Sequence, residues 1–116
     1  MHELSMCQSL VDAVLQEMGR VQPPPKKLVA ARMAVGALHQ VVPENMTFAY
    51  EILTKDTAAA GSRLDIRWIP VTAKCRACGW TGSVEIPFFL CGSCNSGDLE
   101  LLTGKELFLE NLEVEQ

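Results

Sequence analysis

Two amphipathic stretches of helical period, several short strand-like runs around them, and two Cys-x-x-Cys pairs predict an α+β fold. The expected architecture is a small mixed β-sheet flanked by two helices, with an inserted four-cysteine module of zinc-ribbon type. The chain has 116 residues, enough for one ordinary domain or for a small core plus a module too short to fold without its ion. The cysteine pairs favour the second arrangement. With 48% hydrophobic and 21% charged residues, the chain should bury a real core and carry no long disordered stretch.

The first helix is predicted over residues 4–18, where Leu4, Cys7, Leu10, Val11, Val14, Leu15 and Met18 recur at spacings of three and four and Gly19 ends the run. Pro23, Pro24 and Pro25 then forbid helix and force an extended connector. Residues 28–35 mix apolar side chains with Arg32 as a largely buried strand would, and Gly36 closes it. Pro43 suits the first turn of a second helix, with Glu44 at the positive end of its dipole and Met46, Ala49, Tyr50 and Leu53 on one face. Residues 56–62 are small and polar. Leu64, Ile66 and Trp68 then alternate with Asp65 and Arg67 as a half-buried strand ending at Pro70. Beyond the cysteines, residues 99–102 and 107–114 read as two strands of a hairpin turning at Thr103 and Gly104. Leu107 and Leu109 differ in parity from Leu112 and Val114, so a bulge near Glu110 and Asn111 is expected to keep all four inward.

Composition excludes several classes. The longest apolar run, residues 29–38, contains Arg32 and falls far short of the roughly 20 residues a membrane span needs. Glu3 stands where a secretory signal would carry basic residues, so a cytoplasmic protein is expected. Ten Lys and Arg against fourteen Asp and Glu give a net charge of −4, and a zinc ion held by four thiolates adds to the negative total, which argues against nucleic acid as a partner.

Cys75-Arg76-Ala77-Cys78 and Cys91-Gly92-Ser93-Cys94 are separated by twelve residues, enough for two facing knuckles around one Zn(II). Gly79 and Asn95 follow the pairs, where such knuckles often need positive φ. With all four positions filled by protein, no site remains for water, and the ion is structural rather than hydrolytic. A regulated thiol pair or a rubredoxin-like iron centre are the other chemistries this ligand set allows. The fifth cysteine, Cys7, lies on the apolar stripe of the first helix and reads as a buried small hydrophobe. His39, leaving a strand into a loop, reads as solvated. Trp80, Phe88 and Phe89 either cover the zinc module or dock a partner.

Met1-His2-Glu3 adds a second metal motif. The terminal amine, the His2 amide nitrogen and its imidazole can close fused chelate rings, with Glu3 nearby, and planar nitrogen sites favour Ni(II) or Cu(II). A histidine at a chain end is also commonly just exposed. Met1 is expected to stay in place, because a bulky second residue generally blocks its removal.

The segments Met1-His2-Glu3-Leu4-Ser5, Val35-Gly36-Ala37-Leu38 and Val42-Pro43-Glu44 stand ahead of the residue 57–64 segment, the paired Cys-x-x-Cys motifs and Gly104-Lys105-Glu106-Leu107. In that order, over nearly the whole chain, they resemble the HypA/HybF family of hydrogenase nickel-incorporation proteins. The resemblance implies a nickel metallochaperone rather than an enzyme, delivering Ni(II) to the large subunit of [NiFe]-hydrogenase with a HypB-type GTPase as partner. By the same resemblance His2 is the essential nickel ligand, Met1 gives its amine and Glu3 lies in the site. Cys75, Cys78, Cys91 and Cys94 hold zinc in a separate small domain. The implied domains are a nickel-binding α/β domain at 1–71, completed by C-terminal strands at 97–116, and a zinc-binding domain at 72–96. Asn95 stands where the family often has Gly, and Gly92 where Pro is common. No histidine lies between Cys75 and Cys94, so imidazole from the zinc loop cannot complete the nickel sphere within the chain. The fourth nickel ligand, homodimer formation and service to urease stay open. The alternative readings are a zinc-ribbon interaction or nucleic-acid-binding module, for which only Lys74 and Arg76 supply charge near the first knuckle, and a thiol oxidoreductase.

Overall fold

The computed structural model describes residues 2–116, apart from the side chain of His2; Met1 lies outside the described residues. Among the described residues, two helices and two small three-stranded sheets carry the regular structure. Helix α1 spans His2–Met18, strand β1 Lys27–Gly36, a short 3-10 turn Ala37–His39 and helix α2 Pro43–Thr54. Strands β2 (Arg63–Ile69), β3 (Thr72–Cys75), β4 (Thr81–Ser83), β5 (Leu99–Thr103) and β6 (Leu107–Glu115) follow. The sheets run β2-β1-β6 and β4-β3-β5. They fall in two compact units, one formed by residues 1–34, 41–67 and 108–116, the other by 35–40 and 68–107.

In the first unit, α1 buries Cys7, Leu10, Val11 and Val14, as its period predicts. Its first turn differs. Leu4 is 47% exposed while Glu3 is 4% exposed, because at about 100° per residue Glu3 lies nearer than Leu4 to the middle of the arc formed by Cys7, Leu10, Val11 and Val14. Helix α2 packs on α1 through Met46, Ala49 and Tyr50. The Cys7 thiol meets the Met46 carbonyl at 3.8 Å. Tyr50 would bury an unpaired hydroxyl without Ser62, whose Oγ lies 2.7 Å away. Central strand β1 buries Leu28, Ala30, Ala31, Met33 and Ala34 in this unit, leaving Arg32 outward, and its buried Val35 belongs to the second. Strand β2 alternates only weakly: Leu64 and Ile66 are half-buried, but so is Asp65, and Trp68 is exposed. In β6 the half-buried residues are Leu109, Glu110, Leu112 and Val114, so the inward parity changes near Glu110 as expected, but Leu107 is exposed and only three of the four apolar residues turn inward. No helix among the described residues is long and apolar enough to cross a membrane.

The second unit corrects one expectation. Residues 99–102 and 107–114 are strands, yet they form no hairpin: β5 belongs to the second sheet and β6 to the first. Strand β5 pairs antiparallel with β3, placing Ala73 opposite Leu101 and Cys75 opposite Leu99. The Thr103 hydroxyl holds that register by contacting Thr72 Oγ1 at 2.6 Å and donating to the Pro70 carbonyl at 2.7 Å. Gly104, at φ +121°, then turns the chain away, and a Cβ there would meet Val71 Cγ2 at 2.9 Å. Strand β4 pairs with the other edge of β3, Ala73 facing Gly82. Val71, Ala73 and Val84 form the buried centre, covered by Ala37, Leu38, Trp80, Ile86, Leu99 and Leu101.

Candidate metal centres

The two cysteine pairs fold into matching knuckles. In the first, the Cys75 N–H donates to the Trp80 carbonyl at 2.7 Å and the Gly79 N–H to the Cys75 carbonyl at 2.9 Å. In the second, the Cys91 N–H donates to the Ser96 carbonyl at 2.8 Å and the Asn95 N–H to the Cys91 carbonyl at 3.1 Å. The sequence offsets are identical. Gly79 and Asn95 take φ of +83° and +62°, the left-handed turn that the spacing calls for.

All four sulfurs lie within 4.8 Å of one another, with Cys75 and Cys94 at 3.7 Å and Cys78 and Cys91 at 3.5 Å. A regular tetrahedron of thiolates about 2.3 Å from zinc has edges of about 3.8 Å, so the cluster fits Zn(II). Each knuckle contributes one buried cysteine, Cys75 or Cys91, and one exposed, Cys78 or Cys94. Burial works to raise the Cys91 thiol, but the N–H groups of Cys94 and Ser93, each 3.3 Å from its sulfur, stabilise the thiolate and lower it to about 6. The four cysteines therefore form a closed site for a structural zinc ion. It is the one group of three or more potential metal-binding side chains among the described residues. Arg76, one of the two cations beside the first knuckle, is held by Asp98 at 3.1 Å and by the Leu99 carbonyl at 3.1 Å.

The second expected centre is only partly in view. Met1 and the His2 side chain, the expected nickel ligands, lie outside the described residues. Glu3 is buried, and its Oε2 accepts the Val42 N–H at 3.1 Å. Val42 is the N-cap of α2 and has no side-chain acceptor of its own for this end of the helix, so a carboxylate there meets an open donor and the positive end of the dipole. Sequence reading placed Glu3 near a metal and missed this tie. The signal was available: Glu3 occupies the helical phase of Cys7 and Leu10.

Cys7 and His39 stand apart from both centres. Burial pushes the Cys7 thiol up to about 11, which leaves it an inert core residue. His39 is half-buried rather than simply solvated, its Nε2 lying 3.0 Å from the Lys105 carbonyl.

A family model described as "Hydrogenase/urease nickel incorporation, metallochaperone, hypA" matches residues 1–114. Among curated relatives, "Hydrogenase maturation factor HypA" of Nostoc sp. (strain PCC 7120) is 37% identical over 116 residues, covering 100% of this chain and 97% of the relative. The protein of the same name from Acidithiobacillus ferrooxidans is 37% identical over 115 residues, covering 99% and 100%. Among solved structures, the solution structure of the Ni metallochaperone HypA from Helicobacter pylori aligns with a TM-score of 0.62 at 20% identity over 97% of each chain. That likeness supports the fold.

Proposed function

This chain belongs to the HypA family of hydrogenase/urease nickel-incorporation metallochaperones, and from that premise we propose that it binds Ni(II) at its own N-terminus and delivers it for [NiFe]-hydrogenase maturation. Met1 supplies the amine, His2 its amide nitrogen and imidazole, and Glu3 a neighbouring carboxylate. Three nitrogens around a planar ion suit Ni(II), and a site at a chain end is accessible to a receiving protein. Zinc at Cys75, Cys78, Cys91 and Cys94 shapes a separate unit and takes no part in holding the cargo. The receiver is the hydrogenase large subunit, a HypB-type GTPase acts with the chain, and the work is done in the cytoplasm without any reaction catalysed by the chain itself.

The observation that carries this reading is the family match, which begins at residue 1 and so includes Met1-His2-Glu3. A transfer experiment tests delivery. Nickel-loaded protein incubated with a nickel-free large subunit should pass on its metal, and His2→Ala protein mixed with the same total nickel should pass on no more than free nickel does. Equal transfer from the two would sink the proposal.

A further inference from the structure

The two zinc knuckles are joined by something besides the metal. Trp80, two residues after Cys78, contributes its carbonyl to the Cys75 N–H of the first knuckle and packs its ring on the Val71, Ala73 and Val84 core. The far edge of the same indole lies over two glycines. A Cβ at Gly82, in β4, would come within 2.5 Å of Trp80 Cζ2 and 3.0 Å of Cε2. One at Gly92, between Cys91 and Ser93 of the second knuckle, would come within 2.6 Å of Cζ2 and 3.1 Å of Cε2. Neither glycine is among the positive-φ residues, unlike Gly79. Backbone freedom therefore does not explain glycine at positions 82 and 92; clearance for the ring does.

We propose that Trp80 is a positioning residue for the zinc centre: its indole, wedged between Gly82 and Gly92, fixes the distance of the second knuckle from the first and slows loss of the ion. Zinc leaves a four-cysteine site when one knuckle swings away and a sulfur is lost to solvent or a competitor. Cys78 and Cys94, the exposed ligand of each pair, are the natural first departures. A rigid ring seated on Gly92 opposes that swing, because the knuckle cannot leave without exposing the indole. The contact has no slack, so a single methyl group at position 92 must push the knuckle or the ring out of place.

The test follows release of zinc from the full chain to a chromogenic chelator. Gly92→Ala should speed release by at least about tenfold, the scale expected when a close-packed contact is overfilled. Trp80→Leu should also release faster than the native protein. The combined Trp80→Leu, Gly92→Ala protein should release no faster than Trp80→Leu alone, because with the ring gone the added methyl has room. Gly97→Ala is the control: its Cβ would meet only the Phe89 carbonyl oxygen, at 3.9 Å, and its rate should stay native. The ligand-field bands of the cobalt-substituted protein should move in Gly92→Ala and not in Gly97→Ala. Native release by Gly92→Ala, or effects of the two substitutions that simply multiply, would overturn the assignment. Should Gly92→Ala fail to hold zinc at all, recovery of zinc on adding Trp80→Leu supports the wedge and failure to recover it counts against it.

Discussion

Cys91→Ser protein is expected to purify with less than about a tenth of the zinc of the native chain and with its second unit unfolded. Apart from its two buried cysteines, the buried apolar side chains of that unit are Val35, Val71, Ala73 and Val84, too few for roughly 46 residues to fold on hydrophobic burial alone. Structural zinc in small domains supplies about 10–16 kcal/mol at neutral pH, and that energy is folding energy. Cys91 carries more than one quarter of the site. Its sulfur also gathers the Ser93 and Cys94 N–H groups that shape the second knuckle, and a serine oxygen is a far weaker zinc ligand than a thiolate. Metal analysis and amide hydrogen exchange read the result: the Cys75, Gly79, Cys91 and Asn95 amides, which close the knuckles, should lose protection. Full zinc content in Cys91→Ser would mean that the four cysteines are not the ligand set.

The other large effect concerns the opposite end of the chain. Acetylating the Met1 amine, or adding two residues before it, should weaken nickel binding by more than tenfold while leaving zinc in place. The chelate closes only if the amine, the next amide nitrogen and the His2 imidazole are consecutive donors, and blocking the first removes one ring and a strong donor. Loss of an outer-shell group alone costs about 10–100-fold in metal affinity, so loss of a ligand costs no less. Adding a single residue is not equivalent. It would place histidine third, where the amine, two amides and imidazole make a planar site of their own. Native nickel affinity in acetylated protein would remove the amine from the ligand set.

The two centres differ in how they can be read from a sequence. Sulfur spacing reports the zinc site directly, because a tetrahedron needs two pairs on turns of fixed length, and Gly79 and Asn95 mark those turns. An amine and an imidazole at a chain end have no packing pattern to leave behind, so chelate chemistry marked Met1-His2-Glu3 only as a candidate, and family resemblance is what set it above an ordinary exposed terminus. Helix α1 was legible from its period, and the same period, followed one step further, would have put Glu3 inside and Leu4 outside. Strands β3 and β4 were not legible. Thr72–Cys75 and Thr81–Ser83 are too short and too polar to show alternation, and they are strands only because each pairs with a neighbour.

The hairpin expected of β5 and β6 failed for a related reason. A turn signal at Thr103 and Gly104 between two apolar runs gives no information about partners, and hydroxyl contacts to Thr72 and Pro70 commit β5 to β3. The indole over Gly92 was equally invisible. Sequence showed an aromatic residue near a cysteine and a glycine inside a knuckle, but not that one occupies the space left by the other.

Calorimetric titration of Ni(II) into untagged native protein and into His2→Ala protein tests the central claim most directly. N-terminal nickel binding requires that the native chain bind one nickel ion and that His2→Ala lose this binding while keeping its zinc. Equal nickel binding by the two proteins would contradict it.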